Sequence, residues 1–569
     1  MKQLRVYLCL IAVLSGPPAW ACDVADKPGQ AVVASARPEA TDAGLEILAA
    51  GGNAFDAAVA VSAVLGLVEP ESSGLGGGGF FLLRDAKSGH EVFVDARERA
   101  PFSATRDMFL DGDGEPIRRK SIDGVHAAGI PGLAAGLVHV AERYGRLPLS
   151  RSLRPAIRLA EQGWAFGSKN RAMLGYRKEV LAADAGAAKL FLIDGEVPQQ
   201  GQLLRNPDYA KVLRRIVEHG HAGFYEGDTA KLLIDGVNAL GGAWSKRDFD
   251  EYSVVEREPL RFRYHGYQLV TAPPPSSGGV ALAGALQILD GIDMTKLDAV
   301  TFVHVLTETM RRVYRDRAEH LGDPDFHPVP VDRLMSLAHA RDMRAEIDMQ
   351  HATPSSSLPA ASPALEREET THFSIIDADG NLAAVTQTVN LPYGNAVVVP
   401  GTGFLLNNEM DDFSMKPGVP NAFGLIGGEA NAIAPGKRPL SSMSPTFMIG
   451  EDQVAVLGTP GGSRIISMVL LGILELDDGA TAQQAAAAPR IHHQYMPDVL
   501  SAEPGALTPE VIEGLRAMGH TVEVANRTWG NMHVARWNRC TGDLDAGADP
   551  RGVGSARVGK AGSEAAIFE

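Results

Sequence analysis

Two strand-like runs, 371–377 and 382–388, meet at Asp379-Gly380, and this pairing limits the architecture more than anything else in the chain. Asp-Gly between alternating apolar runs is a strong hairpin signal, because both residues accept the left-handed backbone that a tight turn requires. With Asp379 and Gly380 as the two central turn residues, 378 pairs with 381, and the ladder sets 371 opposite 388. Thr388 and Asn390 are then expected beside the start of the first strand. Upstream, 354–363 is rich in Ser, Pro and Ala, and Glu366-Arg367-Glu368-Glu369 follows. That stretch reads as an exposed, mobile connector running straight into a core strand at Glu369-Thr370.

The rest of the pattern mixes helices and strands. Ala40 to Ala50 and Phe55 to Val68 read as helices separated by Gly51-Gly52-Asn53, which supplies a stop and a cap. Phe80-Phe81-Leu82-Leu83 and Glu91 to Asp95 read as strands around a Lys87-Ser88-Gly89 turn. Pro131 suits a first helical turn, Arg151 to Gln162 an amphipathic helix, and Asp298 to Ala318 repeats apolar residues at helical spacing. Strands are expected near Thr446 to Ile449 and Val454 to Leu457, then a helix from Ser463. The elements interleave without regular βαβ units, so the expected class is a layered α+β fold.

The first 21 residues carry Lys2 and Arg5, an apolar run from Val6 to Leu14, and Ala19-Trp20-Ala21. This is the pattern of a secretory signal with an A-x-A cleavage site, too short to span a bilayer. A periplasmic or secreted protein is expected; Cys22, directly after the cleavage site, leaves lipoprotein anchoring open. Cys9 leaves with the signal, so Cys22 and Cys540 remain, with a disulfide between them left open and no pair at metal-ligand spacing. Across 569 residues the formal net charge is -16, without the concentrated basic face that sequence-independent nucleic-acid binding needs.

Chemistry-bearing residues cluster in short motifs: GLGGGGF at Gly74 to Phe80, PPPSSGG at Pro273 to Gly279, LGDPDF at Leu321 to Phe326, and Asp95-Ala96-Arg97-Glu98-Arg99. TTHFS begins at Thr370, LLNNEMDDFS at Leu405, RPLSSMSPT at Arg438 and PGGSR at Pro460. Each alone is weak. In this order and spacing the set strongly resembles the gamma-glutamyltransferase (gamma-glutamyltranspeptidase) family of N-terminal-nucleophile hydrolases, over nearly the whole chain after residue 21.

The resemblance implies a four-layer αββα sandwich and a precursor that cleaves itself between Glu369 and Thr370. Residues 22–369 would form a large subunit and 370–569 a small catalytic one, intertwined as one heterodimeric unit. Thr370 would be the nucleophile, with its freed α-amino group as base. An α-amino group has a pKa of roughly 7.7–8.0, so it is neutral near working pH where most lysines are not. Thr388 would position that hydroxyl, and Gly461 and Gly462 would form the oxyanion hole. Arg97, Ser441 and Ser442 would receive the α-carboxylate of a gamma-glutamyl donor, and Asn390, Glu409 and Asp412 its ammonium. Pro417 to Gly428 matches a lid loop, with Phe423 where a tyrosine is common.

The implied partners are glutathione and other gamma-glutamyl compounds as donors, and water, amino acids or peptides as acceptors. No cofactor or metal is indicated: GLGGGGF lacks the Lys-Ser/Thr of a phosphate loop, and His492-His493 are adjacent. Two alternatives stand beside this reading. One is a glutaryl-cephalosporin acylase-type amidohydrolase, which does not need a charged donor ammonium. The other is a glutamate- or peptide-binding protein that never processes itself.

Overall fold

The computed structural model describes residues 24–355 and 370–560. Residues 1–21, Cys22, Glu369 and most of the expected connector therefore lie outside the described residues.

Two antiparallel sheets organise the chain. Their strands are β1 (Gln30–Ser35), β2 (Gly78–Arg84), β3 (Glu91–Ala96), β4 (Val255–Arg257), β5 (Leu260–Tyr264), β6 (Tyr267–Thr271), β7 (Thr371–Ile376), β8 (Leu382–Thr388), β9 (Thr446–Ile449), β10 (Gln453–Gly458), β11 (His533–Asn538), β12 (Leu544–Ala548) and β13 (Ser555–Lys560). The first sheet has the order β13-β1-β7-β8-β2-β3-β4, and the second β12-β11-β10-β9-β6-β5. The expected hairpin thus becomes the centre of the first sheet.

The central strands of that sheet are buried on both faces: every residue of β3, β7 and β8 is buried, the polar Thr371, His372, Ser374, Thr386 and Gln387 included. Val33, Phe81, Leu83, Val94, Phe373 and Ile375 pack against α1 (Pro38–Ala49), α2 (Ala54–Val68) and α3 (Leu133–Tyr144). Their neighbours Val32, Phe80, Leu82, Phe93 and Ile376 point the other way, into a core shared with Phe447, Val456 and Leu457 of the second sheet. The same core extends to α4 (Gly278–Asp290), α5 (Ala299–His320) and α6 (Ile465–Asp477). The layers are therefore helix, sheet, sheet, helix, as the resemblance implies.

Local signals explain the element ends. Asn53 caps α2 by accepting from the N–H of Phe55 and of Asp56, and Asp56 returns a bond to Asn53 N–H. Asp298 caps α5 through Thr301 N–H. The helix expected over 151–162 is broken into Leu149–Ser152 and Arg154–Gln162, because Pro155 fits a helix start and not an interior. Pro131 lies just before α3, which Gly132 caps, and not inside its first turn.

The hairpin register differs from the expected one by a single residue. Ile376 pairs with Leu382 and Thr371 with Gln387, so Thr388 lies across from Thr370 and not from Thr371. The loop has three residues instead of two. Asp377 Oδ1 accepts from the N–H of Asp379 and of Asn381, and Gly380, at φ 90°, closes the loop in the left-handed region. A one-residue slip exchanges the two faces of a strand. It puts Thr388 and Thr370 on the same, inner face of the sheet.

Candidate functional site

Thr370 sits at the mouth of β7 and is 5% exposed; Thr388 ends β8 and is 2% exposed. Their Oγ1 atoms are 3.1 Å apart. Thr388 Oγ1 also accepts from Asn390 N–H at 2.8 Å. Asn390 takes φ 79°, a conformation that asparagine tolerates better than most residues, and its Nδ2 donates to the Asn408 carbonyl. Behind Thr388, a Cβ on Gly77 would stand 2.0 Å from its carbonyl oxygen. The glycine run is thus what lets the β2 end approach β8 so closely.

One small cavity brings together Arg97, Thr370, Thr388, Asn390, Glu409, Asp412, Phe423, Ser441, Ser442 and Gly462. Gly461 lies one residue back, and Glu369 is outside the described residues. The cavity draws on the β3 exit, the β7–β8 hairpin, the turn at Glu409–Asp412, the segment before β9 and the loop before α6. Gly461 and Gly462 have φ 140° and 52°, backbone that only glycine enters readily. Neither N–H is used in a hydrogen bond among the described residues.

Charge is concentrated here. Arg97 is 1% exposed; its Nη1 lies 2.7 Å from Glu409 Oε2, and its Nη2 2.5 Å from Asp412 Oδ2. The groups assigned from sequence to opposite ends of a zwitterion are therefore paired with each other in this structure. The Glu98 carboxylate is 3.7 Å from Arg97 and finds no hydrogen bond among the described residues. Burial pushes Glu98 up to about 8 against the pull of Arg97, and burial likewise holds Glu409 well above the usual carboxylate range. Burial works to lower Arg97, but Glu409, Asp412 and Glu98 outweigh it and keep the guanidinium charged. A ligand carrying both an ammonium and a carboxylate matches this set, since it can replace each internal ion pair with one of its own.

The segment Pro417 to Gly428 covers the cavity and is tied to the acidic turn. Asn421 Nδ2 donates to Asp412 Oδ1 at 3.3 Å, and Asn421 Oδ1 accepts from the N–H of Phe423 and of Leu425. Asp411 is left out of the site by sequence reasoning, and it is a support: its carboxylate accepts from Ser121 Oγ and from Ala422 N–H. Burial lifts it to about 7.

Several contributors were not assigned a role from sequence. Ser276 bridges to Ser441, and both the N–H and Oγ of Ser277 donate to the Ser441 carbonyl at 2.8 Å. The PPPSSGG motif was visible, but nothing local reveals that it braces Ser441 from 164 positions away. Met443, Leu425 and Ile465 supply the apolar wall. His492 bonds Ser467 and Gln494, whereas His493 bonds Asp498, so the two rings serve separate networks. Cys540 is disulfide-bonded and offers no free thiol.

The gamma-glutamyltranspeptidase family profile matches residues 40–559. The chain is similar to the glutathione hydrolase proenzyme of Escherichia coli K12, 41% identical over 536 residues, with 93% of this chain and 92% of that one covered. Among solved structures it resembles a cephalosporin acylase from Bacillus halodurans, with a TM-score of 0.81 at 27% identity and coverage of 97% and 99%. It also resembles a gamma-glutamyltranspeptidase from Helicobacter pylori, with a TM-score of 0.56 at 36% identity, covering 60% of this chain and 96% of that one. Matches of this identity across this much of the sequence establish that the chain belongs to the gamma-glutamyltranspeptidase family.

Proposed function

We propose that this protein is an exported, self-cleaving gamma-glutamyltransferase and glutathione hydrolase whose nucleophile is Thr370. The observation that carries this is the 3.1 Å approach of Thr370 and Thr388 hydroxyls in a cavity lined by Arg97, Glu409 and Asp412.

In processing, Thr370 Oγ1 attacks the carbonyl carbon of residue 369. The C–N bond breaks as the C–O bond forms, leaving an ester and a free Thr370 amine. Water then hydrolyses the ester, and Thr370 becomes the N-terminus of a 370–569 subunit that stays packed with 22–369. The H. pylori chain covers a share of this sequence close to that of residues 22–369, which is consistent with such a division.

In turnover the Thr370 amine takes the hydroxyl proton, and Oγ1 attacks the γ-carbonyl of glutathione or a related amide. Thr388 holds Oγ1 in place, and the Gly461 and Gly462 N–H groups meet the developing oxyanion. Collapse expels the amine, which takes the proton from the Thr370 ammonium. Water or an amino-acid amine then attacks the threonine ester, releasing glutamate or a new gamma-glutamyl compound. Arg97, Ser441 and Ser442 bind the donor α-carboxylate, and Asn390, Glu409 and Asp412 its ammonium. Phe423 and its loop exclude water during transfer. The N-terminal pattern of residues 1–21 supports export to the periplasm or outside the cell, and no described helix is long and apolar enough to cross a membrane.

A glutaryl donor lacks the ammonium and would leave Glu409 and Asp412 with no cation besides Arg97, which disfavours the acylase alternative. Three anilides test the reading: gamma-glutamyl, glutaryl (no ammonium) and 4-aminobutyryl (no α-carboxylate). Because a site built around charged groups rejects analogues lacking them, the gamma-glutamyl donor is expected to lead in kcat/KM by at least about 100-fold. A glutaryl donor that equals or beats it makes the protein an acylase.

A further inference from the structure

A buried guanidinium without a counter-ion is costly, and Arg317 in the last turn of α5 is such a group. It is 5% exposed and forms no ion pair among the described residues. The other deeply buried arginines differ: Arg97, Arg312 and Arg490 each face a carboxylate. Arg317 instead reaches two hydroxyls. Its Nε donates to Ser277 Oγ at 3.1 Å, and its Nη2 lies 3.5 Å from Ser442 Oγ.

The consequence falls on the cavity. Ser441 Oγ accepts from Met443 N–H at 3.1 Å, and Ser442 Oγ faces the Arg317 guanidinium. A hydroxyl whose oxygen already meets a donor has its proton left to give. No acceptor for either proton is found among the described residues, and both serines line the cavity with Thr370. The pair is thus set to meet an acceptor, and the guanidinium that stands against Ser442 from behind is that of Arg317.

We infer that Arg317 is a positioning residue for donor recognition: it keeps Ser442 as a hydrogen-bond donor, braces Ser441 through Ser277, and adds a second positive charge behind the donor α-carboxylate. The inference rests on the gamma-glutamyl reading of the cavity. Arg97, held by Glu409 and Asp412, is not the only cation that the carboxylate meets. Burial pulls Arg317 below its ordinary range with Asp412 offsetting part of the effect, so an arriving anion also relieves a poorly solvated charge.

The test compares wild type, Arg317→Met and Arg317→Lys, each as processed enzyme, on gamma-glutamyl and 4-aminobutyryl 4-nitroanilide. Single-turnover conditions with excess enzyme make the slower donor readable. Losing a hydrogen bond to a charged group predicts a KM for the gamma-glutamyl donor raised roughly 10- to 100-fold in Arg317→Met, with kcat changed less than about threefold. The 4-aminobutyryl donor, which has no α-carboxylate, is expected to stay within about threefold of wild type in kcat/KM. An equal loss on both donors, or none on either, overturns the inference. If Arg317→Met does not fold or process, Arg317→Lys carries the same contrast, because it keeps the charge and loses the planar fork. A loss of roughly three- to tenfold confined to the gamma-glutamyl donor is then expected, and an equal effect on both donors refutes the assignment. A wild type that fails to prefer the gamma-glutamyl donor overturns the pocket reading itself, a result distinct from failure of the arginine alone.

Discussion

Replacing Thr388 by valine removes one hydroxyl and keeps the branched shape. Among the described residues, Thr388 Oγ1 receives Asn390 N–H at 2.8 Å and lies 3.1 Å from Thr370 Oγ1. The first is a buried backbone bond, and orphaning that N–H costs about 1–3 kcal/mol of stability. The second matters most when Thr370 Oγ1 gathers charge during attack, where a hydrogen bond to a charged partner is worth about 1.5–3 kcal/mol. At about 1.4 kcal/mol per tenfold, kcat is expected to fall roughly 10- to 100-fold. In the proposed mechanism self-cleavage uses the same hydroxyl, so it should slow by a similar factor. The assay follows fragment appearance on denaturing gels, then gamma-glutamyl anilide turnover by the processed fraction. Thr388→Ser, which restores the hydroxyl, should return kcat to within about threefold of wild type. A valine variant that processes and turns over within threefold of wild type would refute the positioning role, whatever its stability.

Asp412→Asn is expected to lower gamma-glutamyl kcat/KM roughly 10- to 100-fold while leaving the glutaryl anilide within about threefold, because only the former brings an ammonium; equal losses would mean a structural role. Burial pushes Glu98 up to about 8 from an ordinary 4.5, so the folded state holds a proton that the unfolded chain gives up, and wild-type stability falls as pH rises through that window. Glu98→Gln has no such proton to lose, so its melting temperature relative to wild type should climb between pH 4.5 and 8; a pH-independent gap would contradict the burial argument. Asn421→Ala breaks the loop's bond to Asp412 and its own internal bonds from Phe423 and Leu425 N–H, so the ratio of transfer to hydrolysis should drop roughly two- to fivefold as water gains access; an unchanged product ratio would exclude the loop from that role.

The layered fold was readable from the sequence because both sheets are dominated by short apolar strands whose ends carry strong turn and cap residues. Asn53 caps as expected, Asp298 caps the helix whose spacing places its start there, and the 371–388 hairpin exists where Asp379-Gly380 signals it. Its register was not readable, because loop length depends on the Asp377 carboxylate gathering backbone N–H groups around the turn. That single residue decides whether Thr388 shares a face with Thr370. Candidate site residues were recoverable as an ordered set of motifs, and the structure gathers ten of them around one cavity. What stayed hidden was pairwise: the mutual neutralisation of Arg97 with Glu409 and Asp412, the Asp411 support, and the Arg317 contact with Ser442. These depend on packing among segments separated by tens to hundreds of residues, and no local spacing encodes them.

The central claim is that Thr370 becomes a free N-terminal nucleophile. Intact-mass analysis and N-terminal sequencing of the purified wild-type protein under denaturing conditions test it most directly. The account predicts two fragments, the smaller spanning 370–569 and beginning Thr-Thr-His-Phe-Ser, with Thr370→Ala remaining one chain. A single wild-type chain that still turns over gamma-glutamyl anilide, or a cut at any other bond, would contradict it.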